Sequence, residues 1–448
     1  MSPPQPSKYN VLVFPCASGI AQEVFFALRD KKEFELHGLN RAGANVGRSL
    51  FDNYHETEYD IVKTPDKLAA AIRTLVVRHG IDLIFPAFDD AQVYLKSRET
   101  ELGVPVATSP VLTTQTCRSK RRTYDLLRDV VRVPTVFPAD RPTFPAFAKP
   151  DCGEGSRGCF VLRTKEDLDS KQAVLASEEY VVTEYLPGDE FTVDCLSDQE
   201  GGLLFCAARK RTLARGGISV ITETANRDVQ ELCKTMAANI AGTLQLVGAW
   251  FFQVKRDADG HLCLMEVAPR IAGAMALHRF IGVNFAMLTS FIHLQHTVDV
   301  VFNAQIENAT LYKVYGNTVT APCLAARTHV YVDLDDTLIK WRDSRPAVNA
   351  RVVGFLYSAI ETGRRVTLIT KHAHCPLATL SKVRLCERLF DGIIHVPRDA
   401  RKVDFMPDAA AAMLVDDSFH ERMECAKNNV LAFDVDCVES LSLGHVAP

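Results

Sequence analysis

Acidic side chains follow apolar segments in the last third of the chain, together with a lysine and a threonine. They are Asp333 and Asp335 in VYVDLDDTL, Thr370 in RVTLIT, Lys402 in RKVDF, and Asp416 and Asp417 in AAMLVDDS. The apolar runs predict buried strands, and side chains past such strands meet in the crevice at the carboxyl edge of an open α/β sheet. Several carboxylates gathered there need a hard divalent cation such as Mg²⁺ among them.

These residue types could together transfer a phosphoryl group. A carboxylate can attack phosphorus and form an aspartyl-phosphate. A second carboxylate two residues on can protonate the leaving oxygen and then activate water. An ammonium and a hydroxyl can hold the phosphate oxygens. The alternative is a cluster of acids at strand ends without chemistry.

The order of these residues resembles the haloacid dehalogenase (HAD) superfamily over residues 327–448. The family's DxDxT motif is matched by Asp333, Asp335 and Thr337, its second motif by Thr370, its lysine by Lys402, and its acidic pair by Asp416 and Asp417. The resemblance implies that Asp333 is the nucleophile and Asp335 the acid/base, and that both bind Mg²⁺ with Asp416 or Asp417. Asp336 stands where the family usually has glycine.

The spacing of the same motifs predicts a capless domain. The interval from Asp333 to Thr370 has room only for a helix and a strand, and so has the interval from Thr370 to Lys402. An open site would accept a large substrate or be covered by a neighbouring module, because water would otherwise enter freely.

A second group of candidate residues lies in the middle of the chain and begins with a glycine-rich stretch. In AKPDCGEGSRGCF, Lys149 ends a predicted strand, and Gly155 and Ser156 lie in the loop that follows. Glycine lets backbone N–H groups approach a phosphate, and an ammonium adds positive charge. Lys120 precedes this stretch on a predicted helix. The alternatives are an ordinary turn and a solvated lysine.

With the segments after it, this stretch resembles the ATP-grasp fold, of the carbamoyl phosphate synthetase large-chain type, over roughly residues 9–318. The resemblance implies an ATP site formed by Lys120, Lys149, Gly155 and Ser156 at the phosphates, Glu184 and Leu186 at the adenine, Glu190 at the ribose, and Gln253 and Glu266 at Mg²⁺ or Mn²⁺. The family commonly has asparagine where Ala268 stands, which removes one oxygen ligand.

Positive charge is needed where a phosphate develops negative charge. Arg270, in the Pro-Arg pair that the family shares, is the candidate for this catalytic role. Arg211 and Arg215 in RKRTLARGGIS are candidates for holding the substrate carboxylate or an acyl-phosphate, and a plain basic loop is the alternative.

The elements that would position these residues form an α/β protein of several modules. Strands alternate with helices near both ends, which predicts parallel sheets, and antiparallel hairpins fill the middle. We expect a disordered leader (1–10), a Rossmann-like pre-ATP-grasp domain (11–108), an α+β ATP-grasp domain (109–325) and a capless HAD-like Rossmannoid domain (326–448).

Composition excludes several classes of protein. The chain has 448 residues and a net charge of −4, so neither a nucleic acid nor a membrane is an expected partner. Its start lacks a basic-then-apolar signal, and apolar runs fall short of a membrane span. The 13 cysteines form neither CxxC pairs nor zinc spacings and predict reduced thiols in a cytoplasmic protein.

The function predicted is bifunctional. We expect an ATP-dependent carboxylate–amine ligase that forms an acyl-phosphate and releases ADP and phosphate, joined to a Mg²⁺-dependent phosphatase. The partners are a small carboxylate, an amine and a phosphorylated small molecule, and a homodimer through the first modules is compatible with the sequence. One alternative is a HAD phosphatase regulated by a non-catalytic nucleotide-binding module. A carbamoyl- or phosphoryl-transfer enzyme without ligation is the other.

Overall fold

The computed structural model describes residues 8–153, 155–176, 179–313, 317–342, 345–441 and 443. The chain divides into two compact units. The first consists of Met1–Arg29, Glu33–Met275 and Phe285–Asp299, and the second of Asp30–Lys32, Ala276–Asn284 and Val300–Pro448. Most of the predicted leader lies outside the described residues, and the division into three modules stays a prediction. Among the described helices, none has the length and apolar character to cross a membrane.

The elements are numbered along the whole chain. The strands of the first unit are β1 (Tyr9–Phe14), β2 (Phe34–Arg41), β3 (Asn53–Thr57), β4 (Ile81–Pro86), β5 (Val136–Phe137), β6 (Ala146–Pro150), β7 (Phe160–Leu162), β8 (Tyr180–Glu184), β9 (Glu190–Ser197), β10 (Leu203–Arg215), β11 (Ile218–Thr224), β12 (Gly248–Arg256) and β13 (Leu262–Ala268). Its helices are α1 (Gly19–Leu28), α2 (Gly47–Leu50), α3 (Pro65–His79), α4 (Asp89–Ser97), α5 (Glu99–Leu102), α6 (Val111–Arg118), α7 (Lys120–Leu127), α8 (Lys165–Leu175) and α9 (Arg227–Thr243). Along the chain, α10 (Ala276–Phe280) of the second unit precedes α11 (Phe285–His293) of the first.

The first sheet is parallel, as the alternation of strands and helices predicts. Its order is β3-β2-β1-β4, and β1 pairs with both β2 and β4. Val11, Leu12 and Val13 of β1 are fully buried. A strand covered on both faces needs such a continuous apolar run, and not the alternation of a half-exposed strand.

Antiparallel strands build the rest of the first unit. One sheet has the order β5-β8-β6-β7, and the other includes β13-β12-β9-β10-β11. Helix α9 buries Val229, Cys233, Ala237 and Ile240, whose spacing places them on one helical face, in the core that also holds Trp250. The segment RDADGHL, whose Asp and Gly residues predict a hairpin turn, connects β12 to β13.

The sequence TCRSKRRTYDLLRDV predicts a single helix, but the segment is divided between two helices, α6 and α7. Ser119 ends α6 and caps α7: its hydroxyl accepts from the N–H of Arg122 at 3.2 Å and donates to Asp151 at 2.6 Å. A serine that satisfies a free helical N–H in this way favours the start of a new helix. The break makes Lys120 the first residue of α7.

The second unit contains a second parallel sheet. Its strands are β14 (Thr310–Lys313), β15 (Asn317–Thr320), β16 (His329–Val332), β17 (Ile339–Arg342), β18 (Arg345–Val348), β19 (Arg365–Thr370), β20 (Gly392–His395), β21 (Ala412–Val415) and β22 (Leu431–Phe433), and its further helices are α12 (Ala350–Glu361), α13 (Pro376–Lys382) and α14 (Phe419–Lys427). The order β20-β19-β16-β21-β22 places β16 between β19 and β21. The three strands that carry the predicted acidic site are therefore neighbours.

Two segments of this unit differ from the prediction. The interval between Asp333 and Thr370 contains the antiparallel hairpin β17–β18 besides α12 and β19, where only a helix and a strand were expected. The sequence LATLSKVRLCERL predicts one helix over its whole length, but α13 ends at Lys382, and Arg384 adopts a φ of 61°. A left-handed residue cannot continue a right-handed helix, so the helix must end before it.

Each of the 13 cysteines lies within the described residues and is a free thiol. Cys195, Cys233 and Cys263 are fully buried, and burial raises the pKa of Cys263 and of Cys233 to about 12. Such thiols stay protonated and act as small apolar side chains.

Candidate functional sites

A cavity of about 450 Å³ in the first unit gathers the residues predicted to bind ATP and its metal, together with Arg211, which was predicted to hold the substrate. The predicted ATP and metal residues that line it are Lys120, Lys149, Gly155, Ser156, Glu184, Leu186, Glu190, Gln253 and Glu266. With Arg211, they come from α7, from β6 and the loop after it, from β8 and the connection after it, and from β9, β10, β12 and β13. The antiparallel sheets thus bring together residues that are up to 146 positions apart in the sequence.

Two lysines supply positive charge to this cavity. Lys149 is buried on β6 and donates a hydrogen bond of 2.6 Å to the hydroxyl of Tyr124, which in turn donates one of 2.6 Å to the carbonyl of Met265. Burial and then repulsion from Lys120 lower the pKa of Lys149 to about 8. Lys120 donates to the carbonyl oxygens of Asp151 and Gly153, at 3.2 and 2.9 Å. Paired ammonium groups in one cavity favour an anionic ligand.

The glycine-rich loop contacts the turn between β10 and β11. Gly155 and Ser156 have φ values of 59° and 57°, and Gly217 of the turn has a φ of 75°. A Cβ atom on Gly217 would lie 2.3 Å from the carbonyl carbon of Gly155, so the approach of the two backbones requires glycine at this position. The loop and the turn therefore form one wall of the cavity.

The acidic residues predicted for adenine and ribose already have partners. Glu184 accepts a hydrogen bond of 2.8 Å from the N–H of Thr135. Glu190 forms an ion pair with Arg211, whose guanidinium also donates to the carbonyl of Gly217 at 2.7 Å and to the side-chain oxygen of Gln253 at 3.2 Å. Arg211 thus connects Glu190 to the turn between β10 and β11.

The donor set at Gln253 and Glu266 fits a magnesium ion. These residues are directly opposite each other in the register of β12 and β13, and both line the cavity. A carboxylate and an amide oxygen are ligands that Mg²⁺ accepts, with phosphate oxygens and waters completing its shell. Ala268 is buried opposite Phe251 and brings no oxygen from its side chain.

Two predicted arginines lie elsewhere among the described residues. Arg270 forms an ion pair with Asp89 of α4, with Nη2 2.9 Å from Oδ2, and its guanidinium lies 5.1 Å from the centre of the Phe251 ring. Arg215 is exposed at the end of β10, opposite Ile218. The roles predicted for both arginines stay predictions.

Tyr124 is the residue at this site that the sequence analysis missed. It lies four positions after Lys120, so both side chains occupy the same face of α7. That spacing was a signal that the tyrosine would lie on the side of α7 that faces Lys149, to which its hydroxyl is hydrogen-bonded.

In the second unit, three of the predicted carboxylates meet. Asp333, Asp416 and Asp417 each offer an oxygen within 4.8 Å of the others, and Lys402 lies 2.5 Å from Asp333 and 2.6 Å from Asp416. Burial, then the charge of Asp416, raises the pKa of Asp333 well above its usual value. Burial opposes the charge of Lys402, but attraction to Asp416 and Asp333 outweighs it and raises the pKa of Lys402.

This donor set also fits a hard divalent cation. Burial, and next the negative charge of Asp416, raise the pKa of Asp417 to about 6. A bound cation would stabilise the charged form of these carboxylates. Thr337 supports the group because its hydroxyl accepts from the N–H of Asp417 at 2.9 Å. Lys32 adds a further cation, 3.2 Å from Asp417 and 3.0 Å from Asp336. No motif pointed to Lys32.

Asp335 stands beside this group of three carboxylates. Its carboxylate lies 2.7 Å from Nδ1 of His372 and accepts a hydrogen bond of 3.2 Å from the indole N–H of Trp341. Thr370, which is buried, accepts from the N–H of His372 at 3.1 Å. His372 was not predicted, although it follows the Thr370 motif by two residues. Its position links the two predicted residues Asp335 and Thr370.

A family model and a curated relative each match part of the chain. A family model described as ATP-grasp in the biosynthetic pathway with Ter operon matches residues 176–314. The curated 3-methyl-D-ornithine–L-lysine ligase of Methanosarcina acetivorans is 28% identical over 162 residues, which are 36% of this chain and 41% of that protein. The match thus spans less than half of the relative's length.

Solved structures agree on the fold. L-amino acid ligase from Bacillus licheniformis has a TM-score of 0.55 at 16% identity, covering 70% of this chain and 82% of that one. The ADP complex of N5-carboxyaminoimidazole synthetase from Staphylococcus aureus has a TM-score of 0.56 at 14% identity, covering 69% and 83%. Biotin carboxylase from Campylobacter jejuni has 0.56 at 13%, covering 68% and 75%. The matches show an ATP-grasp fold.

Proposed function

We propose that the first unit is an ATP-dependent ligase that joins a small carboxylate to an amine through an acyl-phosphate. The observation that carries the proposal is that one cavity is lined both by Lys120 and Lys149 and by Gln253 and Glu266. Cations for phosphates and oxygen ligands for a metal are what transfer of a phosphoryl group requires. The ligases among the similar proteins support the same reaction class.

Amino acids are the proposed substrate class. Two of the similar proteins are, by their names, a 3-methyl-D-ornithine–L-lysine ligase and an L-amino acid ligase. We therefore propose that one amino acid supplies the carboxylate and another the amine, so that the product is an amide. The use of Mn²⁺ in place of Mg²⁺, and the homodimer, stay predictions.

The proposed reaction has two balanced steps. A carboxylate oxygen of the first substrate attacks the γ-phosphorus of ATP, and the bond between that phosphorus and the ADP oxygen breaks. The amine nitrogen of the second substrate then attacks the acyl carbon, phosphate leaves with the bonding electron pair, and the nitrogen loses a proton.

The chain's own residues would orient and stabilise these reactants. Lys149 and Lys120 hold the phosphates, and the glycine-rich loop with Gly155 and Ser156 covers them and limits the access of water. Arg211 holds Glu190 in place at the ribose end. Mg²⁺ bound at Gln253 and Glu266 would supply charge neutralisation between the phosphates.

Nucleotide products test the ligase proposal. The Asp333→Asn variant, which separates the two sites, is incubated with Mg-ATP and pairs of amino acids, and nucleotides and products are identified by mass spectrometry. ADP and phosphate should form in equal amounts with a product whose mass is the sum of the substrates minus water. Lys149→Met should abolish turnover, whereas Lys165→Met, at an exposed pair with Asp169, should not. AMP and pyrophosphate would contradict the mechanism.

We propose a second activity, phosphate-monoester hydrolysis, for the second unit. The observation in its favour is the contact of Lys402 with Asp333 and Asp416 beside Asp417. Asp333 attacks phosphorus, the leaving alcohol takes a proton from Asp335, and water then releases phosphate after giving a proton back to Asp335. Mg²⁺ held by Asp333, Asp416 and Asp417 would neutralise the gathered negative charge.

A generic aryl phosphate, p-nitrophenyl phosphate, tests this activity. Hydrolysis should be lost in Asp333→Asn and should fall about 10²–10⁴-fold in Asp335→Asn, the range of general acid–base catalysis. Asp404→Asn, at an exposed pair with Arg401, should leave the rate unchanged. Equal rates in all three variants would eliminate the proposal.

A regulatory first unit is the competing candidate, and Ala268 is the observation that favours it, because one oxygen ligand is replaced by a methyl group. In that case ATP would bind and change the rate of phosphate-ester hydrolysis without being consumed. Steady ATP turnover with any pair of substrates would rule this candidate out.

A further inference from the structure

Three histidines of the first unit lie together outside the cavity described above. His37 is on β2, His55 is on β3, and His79 is the last residue of α3. Each offers a ring nitrogen within 4.8 Å of the others. Parallel pairing of β2 with β3 places His37 and His55 on neighbouring strands, and the end of α3 brings in the third ring.

The distances between the rings match those of ligands on one ion. Nδ1 of His37 and Nε2 of His55 are 3.2 Å apart. Two imidazole nitrogens bound to a tetrahedral ion at about 2.0–2.1 Å each would be separated by about 3.3 Å. The centre of the His79 ring lies 4.7 Å from that of His55 and 5.3 Å from that of His37. Small rotations of the side chains would complete the arrangement.

We propose that His37, His55 and His79 bind a divalent transition-metal ion, with zinc as the first candidate. Three neutral imidazoles form a ligand set that suits zinc, copper, nickel or cobalt and does not suit Mg²⁺, which prefers oxygen. This site is therefore distinct in chemistry from the carboxylate sites. A water molecule can take the fourth position because His55 and His79 are only partly buried.

Two of the rings lie in surroundings that disfavour their charged form. Burial, followed by repulsion from His55 and His79, lowers the pKa of His37 to about 4, and burial likewise lowers that of His55. Imidazole binds a metal ion in its neutral form. Glu35 lies near His37, and Arg78 lies near His55 with the opposite sign.

The end of helix α3 also favours a cation. The helix finishes at His79, and Gly80 follows with a left-handed φ of 58°. The last carbonyl groups of a helix carry a partial negative charge that attracts a nearby cation. A metal bound here would fasten the edge strand β3 and its neighbour β2 to the helix that precedes β4.

A neutral hydrogen bond between His37 and His55 is the alternative explanation. It would account for the 3.2 Å distance with two rings, but it gives no role to His79, whose ring is also in contact. The two explanations differ in whether His79 matters for binding metal, and this difference decides the choice of variants.

Cobalt and zinc titration of the untagged full chain tests the site. After removal of metals with a chelator, Co²⁺ should bind with one equivalent that gives the visible absorption of a tetrahedral imidazole site, and Zn²⁺ should displace it. His55→Gln and His79→Gln should each weaken binding at least about 100-fold, since even outer-shell partners are worth 10–100-fold. His296→Gln, which changes an exposed histidine that contacts Tyr9, should bind as the wild type does.

Weak metal binding, or metal binding that does not depend on His79, would overturn the proposal. If the wild type shows no tetrahedral cobalt absorption, or if zinc binds more weakly than about 10 µM, the three rings form no metal site. Unchanged binding in His79→Gln would likewise favour the hydrogen-bonded pair. His79 is half-buried at a helix end, so this variant decides the question even if His55→Gln fails to fold. Thermal unfolding gives a second readout: zinc should raise the Tm of the wild type and not that of His79→Gln.

Discussion

The ammonium of Lys149, which lines the candidate nucleotide cavity, lies 2.6 Å from the buried hydroxyl of Tyr124. That hydroxyl donates a hydrogen bond to the carbonyl of Met265, next to Glu266 on β13. One hydrogen-bonded chain therefore connects the strand that carries the cation to the strand that carries the carboxylate. These two hydrogen bonds hold Lys149 on β6 in position relative to β13.

The lowered pKa of Lys149 predicts that ATP binding depends on pH. The charged ammonium attracts phosphate and the neutral amine does not, and the pKa in the free protein is about 8. This contribution to affinity should therefore be nearly constant below about pH 7 and should fall as pH rises through 8, by at most about tenfold per pH unit. Isothermal titration calorimetry across this range measures the slope.

The control for this prediction is Lys149→Met, which should bind ATP weakly and without that slope. Calorimetry near pH 8 in two buffers of different ionisation enthalpy should also show net proton uptake by the wild type. A wild-type affinity that is flat up to about pH 9.5 would contradict a role for Lys149 at the phosphates.

The contact between Gly155 and Gly217 predicts that alanine at Gly217 weakens ATP binding more than alanine at Gly216 does. Gly216 and Gly217 both have positive φ, at 56° and 75°, so alanine at either costs about 1–2 kcal/mol of backbone strain. A Cβ on Gly216 meets nothing within 4 Å, whereas one on Gly217 meets the backbone of Gly155. We expect Gly217→Ala to weaken ATP binding at least about tenfold more than Gly216→Ala. Equal affinities would show that the loop and turn act independently.

The contact of His372 with Asp335 predicts a positioning role in the proposed phosphatase. His372 lies 2.7 Å from Asp335 and 2.8 Å from Thr379, so its ring holds the carboxylate in one orientation. His372→Gln should lower kcat for p-nitrophenyl phosphate by about 10–100-fold with little change in KM, because misplacement of a reacting group affects the chemical step. His374→Gln, at an exposed neighbour, should change neither. A change confined to KM would assign His372 to substrate binding.

The buried ion pair of Arg209 and Asp194 is expected to stabilise the antiparallel sheet. Arg209 and Asp194 are almost fully buried and form two hydrogen bonds, of 2.8 and 3.2 Å. Arg209→Met should lower the free energy of unfolding by about 3–5 kcal/mol, since the charge of Asp194 loses its main counter-ion. Lys210→Met removes the neighbouring exposed pair with Asp189 and should cost at most about 1 kcal/mol. Urea unfolding followed by Trp250 fluorescence in a Trp341→Phe background measures both.

The residues at strand ends were the part that could be predicted from sequence. Asp333, Thr370 and Asp416 each follow an apolar run, and a parallel sheet with adjacent strands brings such positions together. In the first unit, Gln253 lies opposite Glu266 because the register of β12 and β13 shifts by one residue between Gln253 and Val254. Regular backbone geometry therefore converts the sequence pattern into a spatial one at the parallel strand ends, whereas the hairpin pair depends on an irregularity.

Contacts that depend on loops and on side-chain partners could not be predicted. The role predicted for Arg270 at the phosphates stays a prediction, and no motif indicated that its guanidinium would pair with Asp89, 181 positions earlier in the chain. Lys32 approaches Asp417 although no motif surrounds it. Such pairs depend on how irregular segments fold, and sequence spacing carries no information about them.

Transfer of ¹⁸O from a labelled carboxylate tests the central claim most directly. Once the panel of amino acids has identified a substrate, its carboxylate is labelled with ¹⁸O and turned over with Mg-ATP by the Asp333→Asn variant, and the phosphate released is analysed by mass spectrometry. An acyl-phosphate formed in the cavity of Lys149 and Glu266 predicts one labelled oxygen in each phosphate. Unlabelled phosphate would contradict the account.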